Sequence, residues 1–302
     1  MQLRQLGHNG PDISSIGLGA WPIGGGMGDL NEADNIATIR AAIDSGITLV
    51  DTAQAYRTSE GTLGRALRDG YRQRCFLATK VSGKYAPKDI ELAIHNSLRS
   101  LDTDCVDLYQ VHSWNANFPI EETMATMARL QEQGKTRFIG VSNFNAEQME
   151  MAYRIAPFHS SQPRYNMFDR NIEAEDLAYC AGRGIGILAH SPLAKGLLTG
   201  KYAANHTFPE DDERSKFPRF QGDLFARYLA VADSLTGVAA AKGCTRVQLA
   251  IAWLLRRSEV TCVLVGAKSV DQVRDALSAT QITFTDGELE HIDALLKDTP
   301  KG

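Results

Sequence analysis

The chain has no excess of basic residues: 32 Lys and Arg stand against 36 Asp and Glu, for a net charge of −4. With no surplus cation to neutralise phosphates, a nucleic-acid or anionic-membrane partner is not expected, and a small molecule is the default. Nor does any run approach the roughly 20 apolar residues that span a bilayer. The opening residues, Met1-Gln2-Leu3-Arg4-Gln5-Leu6-Gly7, contain no apolar signal core, so the expectation is a soluble cytoplasmic chain. The cysteines (Cys75, Cys105, Cys180, Cys244, Cys262) are odd in number, scattered, and never spaced Cys-x-x-Cys, which excludes a disulfide framework and a cysteine zinc site. No metal is expected. Phosphate-binding loops fail on spacing. Gly17-Leu18-Gly19 and the Gly24–Gly28 run do not give G-x-G-x-x-G, and Gly196-Leu197-Leu198-Thr199-Gly200-Lys201 is one residue short of a P-loop and has no Ser or Thr after the lysine.

What is present is alternation. Short β-rich runs near 13–19, 47–51, 75–80, 106–112, 138–143, 160–164, 186–190 and 262–266 are separated by amphipathic stretches such as 33–45, 88–101, 120–133 and 176–183, the last two followed by Gly134 and Gly184. Strand–helix alternation predicts a parallel sheet, and eight strands predict closure into an α/β fold of the (β/α)8 TIM-barrel type. One domain over residues 1–302 is expected, since barrels of this length fold as single units. Residues 1–12 read as a hairpin around His8-Asn9-Gly10 that plugs the barrel bottom, and 201–221 as a long loop after the seventh strand that serves the ligand. Oligomeric state has no signature here.

In such a barrel chemistry belongs at the C-terminal strand ends. Asp51 ends the second strand, Lys80 the third, His112 the fourth, Ser142 and Asn143 the fifth, Gln162 the sixth and His190 the seventh, with Tyr56 one short loop beyond Asp51. Singly, each has a bland reading as a cap, a solvent-seeking lysine or a packing ring. Jointly they favour catalysis. A lysine between Asp51 and Tyr56 would stabilise tyrosinate and lower the phenol pKa toward neutrality, making Tyr56 a proton donor, while a neutral His112 orients a substrate oxygen. No nucleophile is needed, which points to carbonyl reduction by an external hydride.

The ordered segments DTAQAY, TSEGTLGRAL, ATKV, YQVHSWN, GVSNF, QPRYN, SPLAKGLLTGKY and GAKSVDQV cover almost the whole chain and resemble the aldo-keto reductases, in particular the bacterial branch that is similar to the potassium-channel β subunits. The resemblance implies a barrel that binds NADPH without a Rossmann fold and a tetrad of Asp51, Tyr56, Lys80 and His112. It also implies Ser142, Asn143 and Gln162 on the nicotinamide carboxamide, Ser191, Leu193 and Gly196 around the pyrophosphate, and Gly266, Lys268, Ser269, Gln272 and Asp275 at the 2′-phosphate and adenosine. It places Asp51 and Trp21 in the cofactor set as well, Trp21 belonging also to the substrate wall. Lys268 supplies charge and Ser269 a hydroxyl to the 2′-phosphate, so NADPH is favoured over NADH. Two positions depart from the pattern: His190 replaces the usual nicotinamide-stacking aromatic, and Ala276 an adenine-contacting Asn.

For the substrate wall the expected residues are Trp21, Tyr85 and Trp114. Glu210-Asp211-Asp212-Glu213 reads as a solvated stretch and Arg214 as a flap residue over the cofactor phosphates. Three other readings stay open: a Schiff-base aldolase on Lys80, a metal hydrolase on Asp51, His112 and His190, and a cofactor-binding regulatory subunit.

Overall fold

The computed structural model describes residues 1–25 and 31–300; Gly26 to Gly28 of the glycine run lie outside them. The chain begins with an antiparallel hairpin, β1 (Leu3–Gln5) on β2 (Asp12–Ser14), turned through Asn9 at a left-handed φ of 64°. Eight parallel strands follow: β3 (Ile16–Gly19), β4 (Leu49–Asp51), β5 (Phe76–Val81), β6 (Val106–Val111), β7 (Thr136–Ser142), β8 (Ser160–Gln162), β9 (Gly186–Ala189) and β10 (Val260–Val265). Each pairs with its sequence neighbour, and β10 pairs with both β9 and β3, closing the barrel.

One boundary differs from the sequence reading. The apolar run from Ile13 to Leu18 is two strands rather than one. Ile13 and Ser14 pair with Arg4 and Leu3 in the hairpin, and Ser14 exchanges hydrogen bonds with Thr48 (2.8 and 2.9 Å) before the chain enters the barrel at Ile16. A change of partner leaves hydrophobicity continuous, so periodicity cannot reveal it.

The two-residue period of a strand sorts the side chains. Val50, Leu77, Tyr109, Val111, Ile139, Val141, Ile187 and Val263 face outward into the layer shared with the helices. Leu49, Phe76, Ala78, Leu108, Leu188, Cys262 and Leu264 face inward and form a second cluster with Leu6 and Ile13 of the hairpin, which thereby fills the barrel bottom as expected. Continuing the inward rows by twos leads from Leu49 to Asp51, from Ala78 to Lys80, from Leu108 to Gln110 and His112, from Phe138 to Gly140 and Ser142, and from Leu188 to His190. The lower barrel is apolar and the upper barrel polar, by parity alone.

The helices lie close to their expected spans: Glu32–Asp44, Pro87–Leu101, Ile120–Glu132 and Asp176–Arg183, the last ending at Gly184 with φ +63°. The apolar stretch 222–241 is two helices that meet at Leu235, and it buries Phe225, Tyr228, Leu229, Val231 and Ala232 against the barrel layer as a core element.

Candidate active site

Lys80 is fully buried at the top of β5. Its Nζ donates to Asp51 Oδ1 at 2.5 Å, to the Thr52 carbonyl at 2.8 Å and to Tyr56 Oη at 3.4 Å. Burial alone would lower the lysine pKa, but Asp51, with its charge and hydrogen bond, and the Tyr56 hydroxyl together outweigh it and the net direction is upward, so Lys80 stays an ammonium. Asp51, only 2% exposed, comes from β4.

Tyr56 sits on a loop that is pinned at several points. Its N–H donates to the Ala53 carbonyl, Ser59 N–H donates to the Tyr56 carbonyl, and the Ser59 hydroxyl bonds Thr52 Oγ1 and the Ala20 carbonyl. A Cβ on Gly24 would fall 2.1 Å from the Tyr56 carbonyl oxygen, so only glycine lets the chain pass there. The Tyr56 ring packs edge-on against Trp21 (4.8 Å between centroids) and His112 (5.6 Å).

The phenol pKa differs from expectation. Burial raises it, Lys80 pulls it back only in part, and it remains above its ordinary value. Asp51, at 2.5 Å, is the closer partner of the lysine, with Tyr56 Oη at 3.4 Å. Tyr56 is therefore a protonated phenol at neutral pH, which suits a proton donor. His112 bonds Ser82 Oγ through Nδ1 at 2.6 Å. Burial, helped by the Lys80 charge, depresses its pKa to about 3, so the ring is neutral. In the tautomer in which Ser82 donates to Nδ1, Nε2 carries the proton and is a donor at the mouth.

At the next strand ends Asn143 Nδ2 donates to the His112 carbonyl and to Ser142 Oγ (both 3.0 Å), and Ser142 Oγ donates to the Gln162 carbonyl. His190 bonds Asn143 Oδ1 through Nε2 at 2.9 Å and Ser191 Oγ through Nδ1 at 3.0 Å; burial, with Arg164 and Lys80 nearby, lowers its pKa to about 3. The imidazole thus does more than present a ring: it holds the Asn143 amide.

These groups open into a cleft of about 590 Å³. It is bounded by the β9 loop, where Ser191, Ala194 and Lys195 all hold left-handed φ (58°, 47° and 55°) beside Gly196 at 103°. Strain concentrated in one cleft wall marks a functional segment. The far end holds Lys201, Lys268, Gln272 and Asp275. Across the cleft Glu213 accepts from Trp21 Nε1 (2.9 Å) and from Lys195 Nζ (2.5 Å), joining the long loop to the first barrel loop.

Of the expected cofactor residues, Trp21, Asp51, Ser142, Asn143, Gln162, His190, Ser191, Leu193, Gly196, Gly266, Lys268, Gln272 and Asp275 line this one cleft. Ser269 caps the helix Val270–Ser278 by accepting from Gln272 N–H, and Asp275 accepts from Gln248 Nε2 at 2.6 Å. Two substrate-wall residues are corrected. Tyr85 is 2% exposed, bonded to Ser113 and edge-on to Phe118 in the outer layer, and Trp114 packs edge-on against Phe144; neither lines the cleft. The loop is more tightly bonded than expected: Arg214 is buried, bound to Asp212, Tyr202 and the Lys195 carbonyl, and holds the loop together. Asp212 is likewise buried rather than solvated. Glu213, expected in the solvated stretch, instead lines the cleft, as do Arg164, Lys195 and Lys201, which were not singled out although Arg164 lies in QPRYN and Lys195 and Lys201 in SPLAKGLLTGKY. Gln110 and Ser82, which hold Asp51 and His112, were missed as well. Among the described residues, no group of three or more His, Cys, Asp or Glu could hold a metal ion.

Residues 15–297 match the model of the aldo/keto reductase family. The chain is 38% identical to aldo-keto reductase YhdN of Bacillus subtilis (strain 168), over 99% of this chain and 95% of that protein. Among solved structures it resembles the glycerol dehydrogenase AKR11B4 of Gluconobacter oxydans (34% identity, TM-score 0.88, covering 98% of this chain and 95% of that one). It also resembles the thermostable aldo-keto reductase Tm1743, solved with the inhibitor epalrestat (31% identity, TM-score 0.81, 98% and 100% covered). With the fold, the polar strand ends and these relatives in agreement, the chain belongs to the aldo-keto reductase family and is an oxidoreductase of small carbonyl compounds.

Proposed function

We propose that the protein reduces aldehyde or ketone carbonyls to alcohols with NADPH, Tyr56 giving the proton. The observation that carries this reading is the buried Lys80 ammonium wedged between Asp51 and Tyr56 Oη, beside a neutral His112. His112 Nε2–H orients the substrate oxygen. As negative charge grows there, the Tyr56 phenol protonates it, and the tyrosinate left behind is stabilised by Lys80, whose own charge Asp51 holds. NADPH, when bound, supplies the hydride. A lysine kept protonated is no amine nucleophile, which counts against the aldolase reading.

The cleft fits that cofactor. Ser142, Asn143 and Gln162 offer amide and hydroxyl groups for the carboxamide, and the Ser191–Gly196 segment lining the same cleft is the one assigned to the pyrophosphate. Lys268 has its pKa lowered by burial and then by Arg214 and Lys201, a concentration of positive charge suited to a 2′-phosphate. Gly266, Ser269, Gln272 and Asp275 complete the adenosine end. Trp21 is the remaining wall residue for substrate, and the cytoplasm is the proposed site of action, consistent with the free thiols of all five cysteines. The test is to follow NADPH and NADH consumption against aldehydes, keto-sugars, quinones and ketosteroids with product analysis. Stoichiometric alcohol formation with NADPH preferred is expected; cofactor binding with no turnover on any class would favour a regulatory subunit instead.

A further inference from the structure

The polar layer inside the upper barrel holds more than the tetrad. Gln110, on β6 between Leu108 and His112, is fully buried with its side chain inside the barrel, as are Ser160 of β8 (0% exposed) and Gln162 (1%). A buried amide is costly unless satisfied, and this one is used at both ends. Gln110 Nε2 donates to Asp51 Oδ2 at 3.3 Å, while Gln110 Oε1 accepts from Gln162 Nε2 and Ser160 Oγ, both at 3.4 Å. Gln162 Nε2 also donates to Asp51 Oδ2 at 2.9 Å. Space for the layer comes from Gly140 on β7, where a Cβ would fall 2.1 Å from Ser160 Oγ and 3.2 Å from Gln110 Cγ.

These bonds are directional. An ionised carboxylate only accepts, so both amide nitrogens turn to Asp51. That in turn leaves Gln110 Oε1 to receive the second N–H of Gln162. With its nitrogen engaged twice, Gln162 keeps Oε1 as the acceptor it offers to the cleft it lines.

We infer that Gln110 is a positioning residue for the reaction, fixing Asp51 beneath Lys80 and setting which end of the Gln162 amide faces the cofactor cleft. It touches neither substrate nor cofactor and acts through these two side chains. The inference rests on the reductase reading, since it assumes that Lys80 and Tyr56 move the proton and that Gln162 meets the carboxamide.

The test compares Gln110→Leu and Gln110→Glu with the wild type, reading kcat, KM, the pH profile of kcat and the NADPH dissociation constant from quenching of tryptophan fluorescence without substrate. Gln110→Leu is of similar size and loses all three bonds, to Asp51, Gln162 and Ser160. About a tenfold fall in kcat and about a threefold to tenfold weaker NADPH binding are expected, the scale of one hydrogen bond to a charged partner. In Gln110→Glu the introduced carboxyl faces Asp51 and Lys80, with the Cys262 thiol across the barrel and raised further by Asp51. Protonated, it donates to Asp51 as the amide does; ionised, it repels. Its kcat should therefore approach the wild-type value at low pH and fall as pH rises through a range where the wild type is level. Wild-type kcat, NADPH affinity and pH profile in folded variants would overturn the inference. If Gln110→Leu does not fold, a Gln110→Glu pH profile that superimposes on the wild type overturns it just as well. Failure of the reductase reading itself shows separately, as wild-type turnover that survives Tyr56→Phe.

Discussion

Asp51→Asn removes the partner on which the buried lysine depends, and its consequences can be worked out from the structure. Lys80 Nζ lies 2.5 Å from Asp51 Oδ1 in a side chain with no solvent exposure. At an effective dielectric of ~20 two unit charges at that distance attract by ~7 kcal/mol before desolvation, and breaking such a buried pair from one side costs ~3–5 kcal/mol. The asparagine cannot simply take over. If its oxygen faces Lys80, its NH2 meets Gln162 Nε2 and Gln110 Nε2, which are both donors. With an unfolding entropy of ~2.1 cal/mol/K per residue, a chain of 302 residues loses ~5–8 °C in Tm. The loss depends on pH. In the wild type the folded-state pKa of Lys80 is raised, so its stabilisation is complete below the unfolded value near ~10.4 and is lost only as pH rises through the higher folded value. In the variant only Tyr56 still opposes burial, the dominant effect, and the folded pKa falls below the unfolded one. The unfolded state then binds the extra proton between the two values, and stability climbs with pH across that window. Thermal melts from about pH 6 to about pH 10 should show a gap between wild type and variant that is widest at the acid end. An unchanged Tm, or a gap independent of pH, would refute the idea that Asp51 keeps Lys80 charged.

Three further outcomes are expected. Gly24→Ala drives a methyl into the Tyr56 carbonyl, an overpacking of ~1–3 kcal/mol at the loop that aims the phenol; kcat should fall by more than about tenfold while the global melt changes little, and an unaltered kcat would mean the loop relaxes freely. Lys268→Ala should weaken NADPH by about tenfold to a hundredfold and NADH by less than about threefold, from loss of one charge-assisted contact; equal weakening in a fluorescence titration would mean the lysine does not read the 2′-phosphate. His112 and His190 are both held near a pKa of about 3 in the folded chain, below the unfolded ~6.5. Their stabilisation is present above ~6.5 and is lost as pH falls toward ~3, so His190→Phe should flatten the acid dependence of denaturant unfolding, and an identical slope would contradict the buried neutral ring.

Much of the barrel was legible because parity and strand ends are local properties: the spacing from Ala78 to Lys80, or from Leu108 to His112, already places those groups above an apolar floor. The first strand was misjudged because Ile13 and Ile16 carry the same hydrophobicity while Ser14 turns to Thr48, a tertiary event. Tyr85 looked like a mouth residue by position in the chain, yet its hydroxyl finds Ser113 and its ring the outer layer. At Arg214 no sequence pattern reveals the bonds to Asp212 and Tyr202. Gln110 escaped notice for the opposite reason: a polar residue mid-strand reads as a burial cost until its three partners are seen from β4 and β8.

The central claim is that Tyr56 delivers the proton from a site that binds the cofactor independently of it. Replacing Tyr56 by Phe and measuring both carbonyl reduction and NADPH affinity in the same preparation tests this most directly. Turnover falling by at least about a thousandfold, the loss of a general acid, with an NADPH dissociation constant within about twofold of wild type, is the predicted result. Near-wild-type turnover in the phenylalanine variant would contradict the account.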